Sequence, residues 1–264
     1  MKVAVISGLG NPCGKSTFCL MLGMLFARTQ QKTSVLLATG RMDSILDSTR
    51  VVRSKSLLTS VAMIESTLAT SNAAGEGRHD HGIHIGQDEC FAYNLYDSTY
   101  DKEHLDEVLM LAVQKIKAEL MLVEVNGAYD GGLEKRLLNE VDVILYLFTT
   151  SLCSMKELMQ YREMMPEEIV RKTGYVCSMY NPDVISEKAI AKNIASSVKN
   201  VMLFPYNANL AKEALAGSLD TVPACIASGR SEVVNLRGKL LEIMQYLFDT
   251  PRVKYIKDMT KWYK

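Results

Sequence analysis

Residues 8–17, Gly-Leu-Gly-Asn-Pro-Cys-Gly-Lys-Ser-Thr, constrain this chain more than any other stretch, because of what flanks them. The apolar run Val3-Ala4-Val5-Ile6 comes before, and a helical pattern of Phe18, Leu20, Met21, Met24 and Leu25 comes after. Strand, glycine-rich loop and helix start, in that order, are the setting of a phosphate-binding P-loop. A phosphate chain needs many short donors, and backbone N–H groups supply them where glycine lets the main chain come close. The helix adds its unpaired N–H groups and the positive end of its dipole. Lys15 would place a full charge at the β and γ phosphates, and Ser16 would ligate Mg²⁺. Gly8, Gly10, Asn11, Cys13, Gly14, Lys15, Ser16 and Thr17 are therefore the expected contacts of ATP and Mg²⁺.

The usual spacing, G-x-x-x-x-G-K-[ST], has a glycine where this chain has Leu9, with Gly8 and Gly10 on either side. Either the loop is one residue longer and Gly8 is its first glycine, or Gly10 serves a shifted turn; the longer loop is preferred. A glycine-rich turn that binds nothing is the bland alternative, and Gly-Lys-Ser-Thr at a helix start weighs against it.

With 264 residues, 48% of them hydrophobic, the chain can fill the core of one large α/β domain, expected over 1–249, with a separate tail at 250–264. A formal net charge of zero and a pI near 6.9 give no overall field for nucleic acid, so none is expected as a partner. Met1-Lys2 leads straight into the first strand, and no apolar run nears the roughly 18 residues of a membrane span, so a cytoplasmic location is expected. The six cysteines form no C-x-x-C pair, which speaks against a disulfide framework or a zinc site. Cys13 is the exception to an inert reading. Just ahead of a helix N-terminus and beside Lys15, it is expected to favour the thiolate and to be the most reactive of the six.

Strands are expected at 33–38, 91–97, 120–125, 141–148, 174–179 and 201–204, and helices at 56–68, 102–119, 133–139, 154–164, 185–198, 210–217 and 231–248. The polar stretch 71–87 reads as an exposed loop. Short apolar strands separated by helices imply a three-layer α/β fold, a mainly parallel sheet with helices on both faces and the ligand site at the carboxyl ends of the strands.

In this order of elements the chain resembles the ParA/MinD family of P-loop ATPases, dimerising switches that position plasmids, division sites and surface machinery. The resemblance rests on S-G-L-G-N-P-C-G-K-S-T at the start, V-D-V-I-L-Y-L-F-T-T-S-L-C-S-M-K-E-L at 141–158 and L-F-P-Y-N-A-N-L-A-K-E-A-L-A-G at 203–217. It implies a homodimer, a protein partner within a larger apparatus, catalytic roles for Lys15 and Glu124, and Mg²⁺ held by Ser16 and Glu124. It also implies adenine contacts from Asn181 and the Pro205 segment, although Tyr180-Asn181-Pro182 is equally a proline-terminated loop.

The departures bear on activity. The family's extra lysine, which reaches the partner's nucleotide, has Leu9 and Gly10 at its candidate positions. The acidic end of the second strand reads Ala38-Thr39-Gly40-Arg41-Met42-Asp43, with Asp43 a late substitute. Glu124, followed by Asn126, replaces the aspartate that closes the Walker B strand. Losing a trans-acting cation costs about 10³- to 10⁵-fold in rate in related NTPases, so hydrolysis should be slow or absent. The expectation is a slow ATPase switch, and the alternative is a non-hydrolysing nucleotide-bound scaffold of a pilus, secretion or conjugation apparatus. The atypical loop looks most like TadZ-type proteins, which mark the assembly site of pili. A ligase or kinase would need a second pocket of paired charges, and no such cluster is visible.

Smaller signals have their own readings. His79, Asp80, His81 and His84, with Asp88, Glu89 and Cys90, include metal-ligand types, but solvated polar residues explain them as well. Arg41 beside a glycine turn and Asp130 in Y-D-G-G read first as surface and turn residues. In the tail, Arg252, Lys254, Lys257, Lys261 and Lys264 oppose Asp258 alone, with Ile256, Met259 and Tyr263 at helical spacing beside Trp262. Such a segment suits an anionic membrane surface, as MinD-like members use a C-terminal amphipathic helix, or it docks on the domain itself.

Overall fold

The computed structural model describes residues 1–8, 13–28, 32–38, 83–85, 89–95, 101–125, 132–194, 201–216, 218–228 and 233–249. The expected helix at 56–68, Leu9 to Pro12 with Gly10 and Asn11, Arg41, Asp43, His79 to His81, Asp88, Asn126, Asp130 and the tail 250–264 lie outside them.

Among the described residues eight strands form one sheet: β1 (Lys2–Ser7), β2 (Thr33–Leu37), β3 (Ile83–His84), β4 (Cys90–Asn94), β5 (Leu120–Glu124), β6 (Val143–Phe148), β7 (Thr173–Tyr180) and β8 (Val201–Pro205). Their order is β3-β4-β2-β5-β1-β6-β7-β8, and seven of them run parallel, with β3 alone antiparallel on β4. From β1 the chain crosses two places to β2, later returns to lay β5 against one side of β1, and then lays β6 against the other. The direction of winding thus reverses at β1, and the crevice at that strand's carboxyl end is where such sheets take ligands.

The layers follow from alternation along buried strands. Val3 and Val5 of β1 face one core with α1 (Lys15–Ala27), while Ala4 and Ile6 face the other with α2 (Lys102–Lys115), α3 (Leu133–Glu140) and α4 (Leu152–Met164). Helices α5 (Glu167–Arg171) and α6 (Glu187–Asn193) join the second layer through Ile169 and Ile190. Helices α7 (Ala208–Leu215), α8 (Val222–Ala227) and α9 (Val234–Asp249) join α1 on the first, through Leu210, Ile226 and Leu240. Helix α1 is buried nearly all round, as an apolar helix without a polar face must be.

The expected three-layer parallel fold is therefore the observed one, with local differences at the ends of elements. Helix α2 stops at Lys115, not 119, because Ile116 turns extended and Glu119 donates its N–H to Lys32 near the start of β2. Helix α6 starts at Glu187 because the Ser186 hydroxyl caps Ala189 N–H at 3.2 Å. Strand β4 begins at Cys90 and ends by Asn94, and the stretch expected to be loop contributes β3 to the sheet edge. Helices α5 and α8 and a 3₁₀ turn at Leu219–Thr221 had no expectation; each is too short for a periodic signal. Among the described residues no helix is long and apolar enough to cross a membrane.

Candidate functional site

Strand pairing brings the site together. Glu124, the last residue of β5, pairs with Val5 of β1 on one side and Leu37 of β2 on the other, so its side chain enters the crevice from the middle of the sheet. It is 2% exposed, and its Oε1 accepts a hydrogen bond from the Ser16 hydroxyl at 2.9 Å. The next residue, Val125, presents its carbonyl to the Lys15 ammonium at 2.9 Å, and Lys15 is itself 8% exposed. Two consecutive residues after the centre of β5 thus meet two consecutive residues at the start of α1.

Gly14, just before α1, has φ +69°, a conformation open to glycine and strained for other residues. It leads into a helix whose first turn has no side-chain cap and no acidic residue. A helix start with no acidic residue of its own turns the positive end of its dipole toward an anion. Ser16 and Thr17, both half-buried, occupy that first turn.

On the other side of the loop, a Cβ on Gly8 would run into the Glu157 carboxylate, which reaches over from α4. A larger residue at position 8 would displace the Glu157 side chain from this place. Tyr146 lies beneath. Its phenol is bonded to the Gly8 backbone, and burial together with the nearby Glu157 charge raises its pKa well above the ordinary tyrosine value. Neither Glu157 nor Tyr146 had a signal in the sequence, because their place at the loop depends on β6 lying beside β1.

Cys13 departs from expectation. It is buried, and burial raises its thiol above the ordinary value, more than the Ser7 hydrogen bond and the Lys15 charge lower it. The helix start and the lysine do favour the thiolate, but desolvation wins. The exposed cysteine is Cys153, in the first turn of α4. Cys19, one turn further into α1, is raised well above its ordinary value by burial and then by the Glu124 charge.

Asn181 and Pro205 come together at the ends of β7 and β8, where Tyr180 pairs with Pro205 and Tyr206 N–H donates to Tyr180 at 2.8 Å. Strand β6 separates them from β1. The Asn181 Oδ1 accepts from Asp183 N–H at 3.0 Å, closing a local turn. Asn207, two residues past Pro205, caps α7 by accepting from Leu210 N–H at 2.8 Å and donates to Asn235 at 2.8 Å. His84 packs edge-on against Phe91 with centroids 5.4 Å apart, and among the described residues no cluster of three metal-ligand side chains forms.

No family model matches the chain, and no curated protein does. Solved structures match it over nearly its whole length. A ParA family ATPase from Chlorobium tepidum aligns with TM-score 0.64 at 15% identity, covering 92% of this chain and 98% of that one. MinD in a MinC:MinD cell-division complex from Aquifex aeolicus aligns with TM-score 0.63 at 13% identity, covering 98% of both. The septum site-determining protein MinD with Mg-ADP from Pyrococcus horikoshii aligns with TM-score 0.60 at 13% identity, covering 97% and 99%. At such identities the likeness is one of fold: this chain has the fold of MinD and ParA-type P-loop ATPases.

Proposed function

We propose that this chain binds ATP with Mg²⁺ at the β1–α1 junction and acts as a slow, dimerising nucleotide switch that positions part of a larger cellular apparatus. The observation that carries the reading is the Ser16–Glu124 pair, a hydroxyl and a buried carboxylate 2.9 Å apart. Both are hard oxygen ligands of the kind Mg²⁺ takes. Beside them, the Lys15 ammonium and an uncapped helix start supply positive charge for phosphates. The donor set fits the group: Ser16 and Glu124 would hold the cation, while Lys15 and the amides from Gly14 onward would hold the phosphates. When bound, Mg²⁺ supplies neutralisation of phosphate charge. The MinD neighbour with Mg-ADP and the MinC:MinD complex support nucleotide, metal and a protein partner for a chain of this fold.

Slow turnover is supported by Leu9 and Gly10, which stand where the family has its second lysine. The same observation favours a second reading, a scaffold that holds nucleotide without hydrolysing it, similar to the TadZ-type proteins.

Isothermal calorimetry with Mg-ATP tests the binding. Lys15→Ala should weaken affinity by at least about tenfold, about 1.4 kcal/mol. Equal affinity in wild type and variant would remove the reading. Steady-state phosphate release then separates switch from scaffold, because a Lys15-dependent rate belongs only to the switch.

A further inference from the structure

Strand β7 does not end regularly. Ser178 pairs with Phe204 and Tyr180 with Pro205, so Met179 is an extra residue, a β-bulge opposite β8. It is also the one non-glycine with positive φ among the described residues, at +54°. A side chain in that conformation is strained, and such strain persists only where the surroundings impose it, most often at ligand sites.

The bulge has a definite result. It brings the Met179 methyl within 3.3 Å of the place a Cβ would occupy on Gly14, the left-handed residue that opens α1. The two left-handed residues of the described chain thus meet. Met179 nevertheless remains 45% exposed. A methionine serving only as packing would be more deeply covered and would need no bulge.

We propose that Met179 is a nucleotide-contacting residue whose exposed half is covered by the nucleoside part of a nucleotide held by the loop. The inference rests on the nucleotide-binding reading above. A thioether offers phosphates no donor, but it is polarisable and adapts to the faces of a sugar and an aromatic base. The bulge would hold that surface at the side of the loop nearest β7, leaving Lys15 and Glu124 to face the phosphates on the β5 side.

Oxidative footprinting tests this, with a second methionine as internal control. Hydrogen peroxide transfers one oxygen to a thioether sulfur and leaves as water, at a rate set by exposure. Met164, 62% exposed, ends α4, about 20 Å of helix away from the edge where α4 begins. Both residues should oxidise in protein without nucleotide. Saturating Mg-ADP should slow Met179 several-fold and leave Met164 unchanged, as read by peptide mass spectrometry. In calorimetry Met179→Gly, which suits the positive φ, should bind Mg-ADP about fivefold more weakly, and Met179→Leu within about twofold of wild type. Mg-ADP that binds without protecting Met179, or that binds Met179→Gly as tightly as wild type, overturns the inference and leaves the nucleotide reading standing. Absence of any binding overturns both.

Discussion

At the β1–β5 end of the site the polar groups bond across 108 and 110 residues of chain, Ser16 to Glu124 and Lys15 to Val125. At the β7–β8 end Asn181 and Asn207 accept from N–H groups two or three residues on, at Asp183 and Leu210, with Asn207 also donating to the more distant Asn235. The first set is held by the fold, since only the slot of β5 beside β1 brings those groups together. The local bonds of the second set would exist in any turn or helix cap of the same sequence. Burying a carboxylate and an ammonium costs free energy unless each is bonded. Placed beside a glycine-led helix start, they are the groups that a phosphate and cation site would need. A turn-closing asparagine carries no such implication.

The largest effect that would break this contrast is expected at Glu124. Glu124→Gln keeps the shape and an oxygen to accept from Ser16, but removes the charge. Groups that support a metal in this way typically change its affinity by about 10- to 100-fold. Titrating ATP with and without Mg²⁺ should therefore show the gain from Mg²⁺ falling by about that factor in the variant. A variant that responds to Mg²⁺ as the wild type does would make Glu124 a structural acceptor and erase the difference between the two ends.

How much of this was legible in sequence follows the same division. That Lys15, Ser16 and Glu124 belong near one another could be read because a short pattern sits between a strand and a helix, and because an apolar strand ending in an acid is conspicuous. The parallel three-layer fold followed from alternating apolar runs. Glu157, Tyr146 and Met179 could not be read, since nothing local to them marks the loop; they reach it through the β1–β6 pairing and a one-residue bulge. Cys13 was misjudged for a related reason. Its neighbours in sequence predict a thiolate, whereas its neighbours in space bury it.

Two cysteines sharpen the comparison at alkaline pH. Cys177, in the core side of β7, is pushed up to about 12 from 9.0 by burial alone. Cys13 is also raised by burial, but Ser7 and Lys15 hold it back. A thiol whose folded value lies above its unfolded value contributes stability in full below pH 9 and loses it as pH rises toward the folded value. The loss for Cys177 is about 1.4 kcal/mol per pH unit above 9. Urea unfolding at pH 8, 9 and 10 should show Cys177→Ala flattening the alkaline decline more than Cys13→Ala does. Equal flattening would mean that Ser7 and Lys15 together do not hold the Cys13 thiol below that of Cys177.

The smallest expected effect is at Asn181, where resemblance and geometry give different roles to one side chain. The resemblance makes it a reader of adenine; the structure commits its Oδ1 to Asp183 N–H, and its backbone carbonyl accepts from Val184 and Ile185 at 3.1 and 3.2 Å. An aspartate at this position keeps the oxygen that closes the turn and loses the amide donors, whereas alanine loses both. If the turn is the whole role, Asn181→Ala should cost about 1 kcal/mol of stability, as loss of a local side-chain cap does, and Asn181→Asp should cost little. Both should bind ATP within about twofold of wild type once folded. The decisive measurement is the preference for ATP over GTP in Asn181→Asp. An unchanged preference leaves the Asn181 turn as scaffolding, whereas a preference that collapses while stability holds would show that the turn positions an amide for the base, beside the surface assigned to Met179.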